Sequence, residues 1–140
     1  MDTNAKLLNF IYQNSQMGVD TTSKLLEITD NDELARHLEA QLDKYKEVFH
    51  TSRRMLNDNG YDEKGITKLE KIKFYSMINM QTLTDKSASH LAEMLIIGST
   101  MGIIDAIKNI NKYMGAEPDI VDLMHTLKDI EQYNIEQLKK

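Results

Sequence analysis

The segment Ser87–Gly115, SASHLAEMLIIGSTMGIIDAIKNINKYMG, decides the fold of this chain. It predicts a helix with apolar residues on nearly every side and with two glycines, Gly98 and Gly102, one turn apart near its middle. A soluble helix without a polar face has to be covered by other helices. We therefore expect this segment to be the central helix of a bundle, with both glycines at a close helix contact.

Composition indicates a single all-helical domain. The 140 residues suit one domain, which we assign to residues 1–140. Proline occurs once and glycine six times, while methionine, with nine residues, and other good helix formers are abundant. No alternating pattern of strand type runs for a useful length. These features favour helices throughout the chain.

Charge and cysteine content narrow the classes of function. The net charge of −5 argues against nucleic acid, whose phosphates require a concentrated basic surface. The absence of cysteine excludes disulfides, thiol nucleophiles and zinc–thiolate sites. We see no secretory signal, and the most apolar run is shorter than a membrane span. We expect a cytoplasmic protein with no membrane partner, and its many Lys, Ile, Asn and Met residues suggest a bacterial source.

Four further helices are predicted around the central one. They run from about Thr3 to Thr29, from Asp30 or Asn31 to Asn59, from Ile66 to about Thr84, and onward from Pro118. The short link between the first two makes them antiparallel neighbours. The segment from Ile66 to Thr84 is about 28 Å long as a helix, which suits a crossover along the bundle. We predict an all-α antiparallel four-helix bundle with an additional helical crossover between helices 2 and 3, giving five helices.

Heights calculated from the helical rise place polar side chains of three bundle helices in one layer. A buried carboxyl group such as that of Glu131 has to be hydrogen-bonded, paired or protonated, and we expect Tyr45 and Gln41 to be its donors. A structural layer that fixes helix register, an unusual metal site and a small polar pocket all remain open. The predicted site residues are Gln41, Tyr45, Asp105, Glu131 and Asn134 in the polar layer, and Ser15, Gly18, Gly98 and Gly102 at close helix contacts.

Two short patterns have the spacing of metal ligands. Glu47 and His50 form a Glu-x-x-His pair, and Asp122 and His125 form a similar pair near the end of the chain. At about 100° per residue, both pairs lie opposite the apolar stripes of their helices. We therefore expect both pairs to face solvent.

The helix order and two segments of sequence carry a family resemblance. QTLTDKS at residues 81–87 and GSTMGIID at residues 98–105 look like segments of small bacterial proteins of uncharacterised function. Nearly the whole chain resembles the ferritin-like four-helix bundle, and this resemblance implies that fold. Ferritins and rubrerythrins bind metal through inner Glu residues and Glu-x-x-His pairs. Here Gln41 and Tyr45 occupy inner positions, and Asn134 stands where a pair starting at Glu131 would need histidine.

These departures lead us to expect a non-catalytic bundle that acts as a scaffold or protein-interaction module. The expected partners are a second copy, with a dimer favoured, or another protein. One alternative is a metal-binding protein with a non-standard site for iron or manganese at Glu131 and Asp105. Another is a bundle that binds a small apolar ligand in a cavity lined by methionines, including Met94 and Met101. No cofactor and no catalytic residue is predicted.

Overall fold

The computed structural model describes residues 3–61, 88–112 and 115–138. They form four helices: α1 (Thr3–Ile28), α2 (Asp32–Asp58), α3 (Ala88–Lys112) and α4 (Pro118–Leu138). Across these ranges the rest is turn or irregular backbone without any strand, so the prediction of an all-helical fold is confirmed. The crossover helix predicted from Ile66 to Thr84 lies outside the described residues.

Local signals account for both ends of α2 and for the start of α4. Asn31 is the N-cap of α2, and its side chain accepts a hydrogen bond of 2.8 Å from the Leu34 N–H. Asn59 follows the last residue of α2, and Gly60 then takes a positive φ of 81°. Helix α4 begins at Pro118, which suits a first helical position because proline has no N–H to leave unpaired there.

The four helices pack as two antiparallel pairs. Helices α1 and α2 contact each other along their length, and so do α3 and α4. Helix α4 also packs against both helices of the first pair, whereas α3 approaches α1 over a few residues. The Glu117 N–H donates a 2.8 Å hydrogen bond to Asn4 Oδ1, which ties the start of α4 to the start of α1.

Two apolar clusters form the core, with a layer of polar side chains between them. The larger cluster joins the first half of α1 to the second half of α2 and the first half of α4, and includes Leu7, Ile11, Val48, Ile120 and Met124. The smaller cluster, at the α1–α2 turn, contains Leu25, Leu34, Leu38, Leu91 and Leu95. Burial of each of these side chains contributes about 1.5–3 kcal/mol.

Helix α3 is less enclosed than its composition predicts. Four large apolar side chains on one side of it are about half exposed or more: Ile97 (54%), Met101 (61%), Ile104 (48%) and Ile107 (46%). We call these four residues the α3 stripe. Among the described helices, α4 and α1 contact the opposite face of α3, and the predicted crossover helix, which was also expected to pack on α3, lies outside the described residues. By length and composition, His90–Lys112 would also suffice to cross a membrane, as would the core helices of many soluble proteins.

Candidate functional site: a cavity with a polar end

All four helices contribute to the polar layer between the two apolar clusters. Tyr45 comes from α2, Ser99 from α3, and Glu131 and Asn134 from α4, and all four side chains are at least nine-tenths buried. Ser15 on α1 is also fully buried, and its hydroxyl donates to the Ile11 carbonyl at 2.8 Å. The structure thus brings Tyr45, Glu131 and Asn134 together as the helical heights predict.

A chain of hydrogen bonds crosses this layer from α2 to α3. His37 Nε2 lies 2.5 Å from Asn134 Oδ1, and Asn134 Nδ2 donates to Ser99 Oγ at 2.7 Å. Because the Asn134 amide nitrogen is the donor to Ser99, its oxygen has to accept from His37, so Nε2 of that histidine carries a proton. The Ser99 hydroxyl is left with its own proton to donate elsewhere.

Glu131 lies beside this chain. Burial raises the pKa of its carboxyl group to about 7, and the adjacent Tyr45 and Ser99 hydroxyls, which can donate to the carboxylate, act in the opposite direction. Burial, together with the negative charge of Glu131, also raises the pKa of Tyr45 well above its ordinary range, so the phenol keeps its proton and donates.

Two of the predicted layer residues behave differently from expectation. Gln41 is buried at 1% exposure, but neither its amide nitrogen nor its amide oxygen has a hydrogen-bond partner in the described structure. The prediction that it donates to Glu131 is therefore wrong. Asp105 is exposed and does not belong to the buried layer. It follows Gly102 by three residues, which turns it about 60° away from the face that meets α4.

Small residues allow the helices to approach closely at this level. A Cβ built on Gly18 would overlap three carbons of the Tyr45 ring, all nearer than 3.0 Å. A Cβ on Gly102 would stand 3.0 Å from Glu131 Oε1. Both glycines thus make room for a side chain of the polar layer. Gly98 lies within α3, and its surroundings fall outside the described part of the structure.

A cavity of about 380 Å³ lies between α1 and α3 and ends at the polar layer. Its walls are largely apolar, and Glu131 and the side chains bonded to it close one end. Ile97, Met101 and Asp105 line it and are exposed, which places its mouth on the outer side of α3. The main wall residues are Met17, Gly18, Thr21, Thr22 and Leu25 on α1 and Met94, Leu95, Ile97, Met101 and Gly102 on α3.

Comparisons with known proteins do not indicate a function for this cavity. No protein-family model, no curated protein and no solved structure matched the chain. The functional interpretation therefore depends on the chemistry of the cavity and its polar end.

The described residues do not assemble a set of metal ligands. Within residues 3–61, 88–112 and 115–138, no three His, Asp or Glu side chains come together in a group that could hold a metal ion. Glu47, His50, Asp122 and His125 are all exposed, as their helical positions predict. Glu131 and Asp105 both line the cavity, but two carboxylates are a small part of the ligand set of a di-iron centre.

Sequence reasoning missed two members of the polar layer. Ser99 lies between two glycines of an apolar helix, where a serine usually serves close helix packing. In the structure it accepts from Asn134 and lies beside Glu131. His37 lies at the edge of the apolar stripe of α2, where a histidine ordinarily marks the boundary with solvent. The available signal was its position one turn before Gln41 on α2, which places it beside the same layer.

Proposed function

We propose that this chain is a helical bundle that binds a small, mainly apolar molecule in the cavity between α1 and α3. The observation that carries the proposal is the cavity itself: about 380 Å³, apolar walls and one end made of convergent polar groups. Small-molecule sites in proteins have volumes of about 300–1,000 Å³, and they combine mainly apolar walls with a few polar groups that orient the ligand. A ferritin-like bundle topology is part of the proposal, supported by the two antiparallel helix pairs.

The chemistry of the walls supports a ligand with an apolar body. Met17, Met94 and Met101 line the cavity from both sides, and methionine side chains adapt their shape to the molecule beside them. Leu25 and Leu95 extend the apolar surface toward the smaller core cluster. Burying the apolar part of a ligand here would remove both surfaces from water, which is favourable by about 25 cal/mol per Å².

Filling the cavity tests the proposal. Thr21 lines the cavity and is partly buried, so Thr21→Phe should place a ring in the space that the ligand would occupy. Thr126→Phe makes the same change at an exposed position of α4 outside the cavity. Small apolar probes such as octan-1-ol should bind the wild type and Thr126→Phe equally, and bind Thr21→Phe at least about tenfold more weakly.

Calorimetry of probe binding and circular dichroism of each variant would measure this difference. Equal binding by a folded Thr21→Phe variant would place any bound probe outside the cavity and count against the proposal. Failure of the wild type to bind any apolar probe would refute it. Loss of helicity in Thr21→Phe would shift the test to Met94→Trp, which fills the same space from α3.

A second candidate function is self-association through the α3 stripe. The four exposed side chains lie on one side of α3, and the exposed Glu93 and Lys108 lie near its two ends on the same side. If two copies of α3 paired in antiparallel fashion about Met101, Glu93 of each copy would face Lys108 of the other. This charge complementarity favours a second copy of the chain as the occupant.

Light scattering of charge variants tests this pairing. Glu93→Lys should weaken the dimer, and adding Lys108→Glu should restore it by reversing both charges. Glu39→Lys on α2 changes the same charge at an exposed position away from the stripe and is the control. A wild-type protein that stays monomeric at high concentration would exclude the dimer.

A further inference from the structure

We infer that the ligand of this cavity is a primary amine, with its ammonium group bound at Glu131 and its apolar tail between α1 and α3. The inference rests on the proposed function, because it assigns a head group to the molecule that the cavity holds. It follows from the direction of the hydrogen bonds, from the charges around the cavity and from the position of Glu131 on the cavity wall.

The direction of the hydrogen bonds makes Glu131 a net acceptor. His37 donates to Asn134 and Asn134 donates to Ser99, so the Ser99 hydroxyl keeps its own proton for the adjacent Glu131 carboxyl group, as does the Tyr45 hydroxyl. An ionised carboxylate offers about four acceptor positions, so two hydroxyls leave at least two of them for another donor. A ligand group that complements the remaining positions has to be a donor, and an ammonium group carries three.

The charges around the cavity favour the same head group. Among the described residues that line it, Glu131 and Asp105 are acidic and none is Lys, Arg or His. A carboxylate ligand would meet repulsion from Glu131 inside the cavity and from Asp105 at the mouth. A cation would form a charge-assisted hydrogen bond with Glu131, which is about twice as strong as a neutral one.

The carboxyl group is accessible from the cavity, because Glu131 and Gly102 both line it. Gly102 brings α3 close to this group, since a methyl group added there would stand 3.0 Å from Glu131 Oε1 and 3.2 Å from the carboxyl carbon. The ammonium group would therefore reach Glu131 from the cavity side.

Three probes with the same tail and different head groups test the inference: n-octylamine, octan-1-ol and octanoate. At about pH 8 the amine is a cation, and Glu131 is mostly ionised. Calorimetry should show octylamine binding one site at least about tenfold tighter than octanol, with octanoate weakest. Glu131→Gln should abolish the preference for the amine and keep octanol binding. Glu39→Gln, at an exposed position of α2 outside the cavity, is the control and should keep the preference.

The outcomes separate the inference from the proposed function. If none of the three probes binds the wild type, the ligand-binding function itself fails. If octanol binds as tightly as octylamine, or if Glu131→Gln keeps the amine preference, the cavity binds ligands but the amine assignment is wrong. Should Glu131→Gln fail to fold, Gly102→Ala gives a second test, because its methyl group crowds Oε1 and should weaken amine binding more than octanol binding.

Discussion

Gly102 of α3 faces the carboxyl group of Glu131 on α4, and no side chain could be added at Gly102 without coming within 3.0 Å of Oε1. Gly18 of α1 stands in the same relation to the ring of Tyr45, with a closer approach. The two glycines therefore give space to two adjacent residues at the end of the cavity. They differ in what their neighbours can do: a carboxyl group beside a cavity can shift, and a buried ring has little room to move.

Gly18→Ala should lower the free energy of unfolding by about 1–3 kcal/mol, because the new methyl group would overlap the buried Tyr45 ring. Urea denaturation followed by circular dichroism measures the change. Gly115→Ala is the matched control, since a Cβ there meets nothing within 4 Å. A Gly18→Ala variant as stable as the control would show that α1 and α2 separate easily at this level.

Glu131 should make stability depend on pH. Its pKa is about 7 in the folded protein against 4.5 for a free side chain, so between these values the folded state keeps a proton that the unfolded state has lost. Stability should therefore fall by about 3 kcal/mol as pH rises from about 4.5 through about 7, and level off about one pH unit above the folded pKa. The groups facing Glu131 are Tyr45 and Ser99, with Asp105 also on the cavity wall.

Urea denaturation of Glu131→Gln at a series of pH values tests this assignment. The variant should lack the decrease in stability between about pH 4.5 and pH 7 that the raised pKa of Glu131 causes. Glu39→Gln, at an exposed position of α2, should keep it. A decrease of equal size in Glu131→Gln would assign the pH dependence to other groups.

Gln41→Leu should stabilise the protein by about 1–3 kcal/mol, because both polar atoms of the buried amide are without partners in the described structure. The same change at the exposed Gln132 is the control and should alter stability by less than about 0.5 kcal/mol. Thermal and urea unfolding of both variants give the comparison. A destabilised Gln41→Leu variant would indicate that the amide is bonded in solution.

Asn134→Ala should destabilise the protein by about 2 kcal/mol, since it breaks the bonds to His37 and Ser99 and leaves buried polar atoms without partners. Asn111→Ala, at an exposed position of α3, is the control. Nitrogen NMR of the histidine rings adds a specific measurement: His37 should be protonated at Nε2 in the wild type and lose this tautomeric preference in Asn134→Ala. An unchanged His37 signal would contradict the hydrogen-bond chain.

Local signals in the sequence specify the described helices well. Asn31 caps α2, Gly60 takes the left-handed conformation after it, and Pro118 begins α4, because each residue type has a backbone or side-chain property that suits one place in a helix. The meeting of Tyr45, Glu131 and Asn134 was also predictable, because helical rise and antiparallel order together fix the height of a residue.

The remaining features depend on how each helix is rotated about its own axis. The spacing of apolar residues does not determine this rotation in a helix that is apolar on nearly every side. Because α3 has apolar residues on nearly every side, its sequence does not tell which face meets α4. Ser99 was therefore missed and Asp105 was wrongly placed in the layer. The wrong prediction for Gln41 has a related cause. A hydrogen bond to Glu131 requires a donor–acceptor distance correct to a few tenths of an ångström and a suitable angle, and the height of a residue along the bundle gives neither.

The distribution of the polar layer between the two helix pairs has a consequence for the order of folding. His37 and Tyr45 belong to the α1–α2 pair, whereas Ser99, Glu131 and Asn134 belong to the α3–α4 pair. Contacts within each pair are local in sequence and form quickly, whereas docking of one pair on the other closes a long loop. We therefore expect the cavity to be completed only when the two pairs dock, and a ligand bound there would stabilise the docked pairs against unfolding.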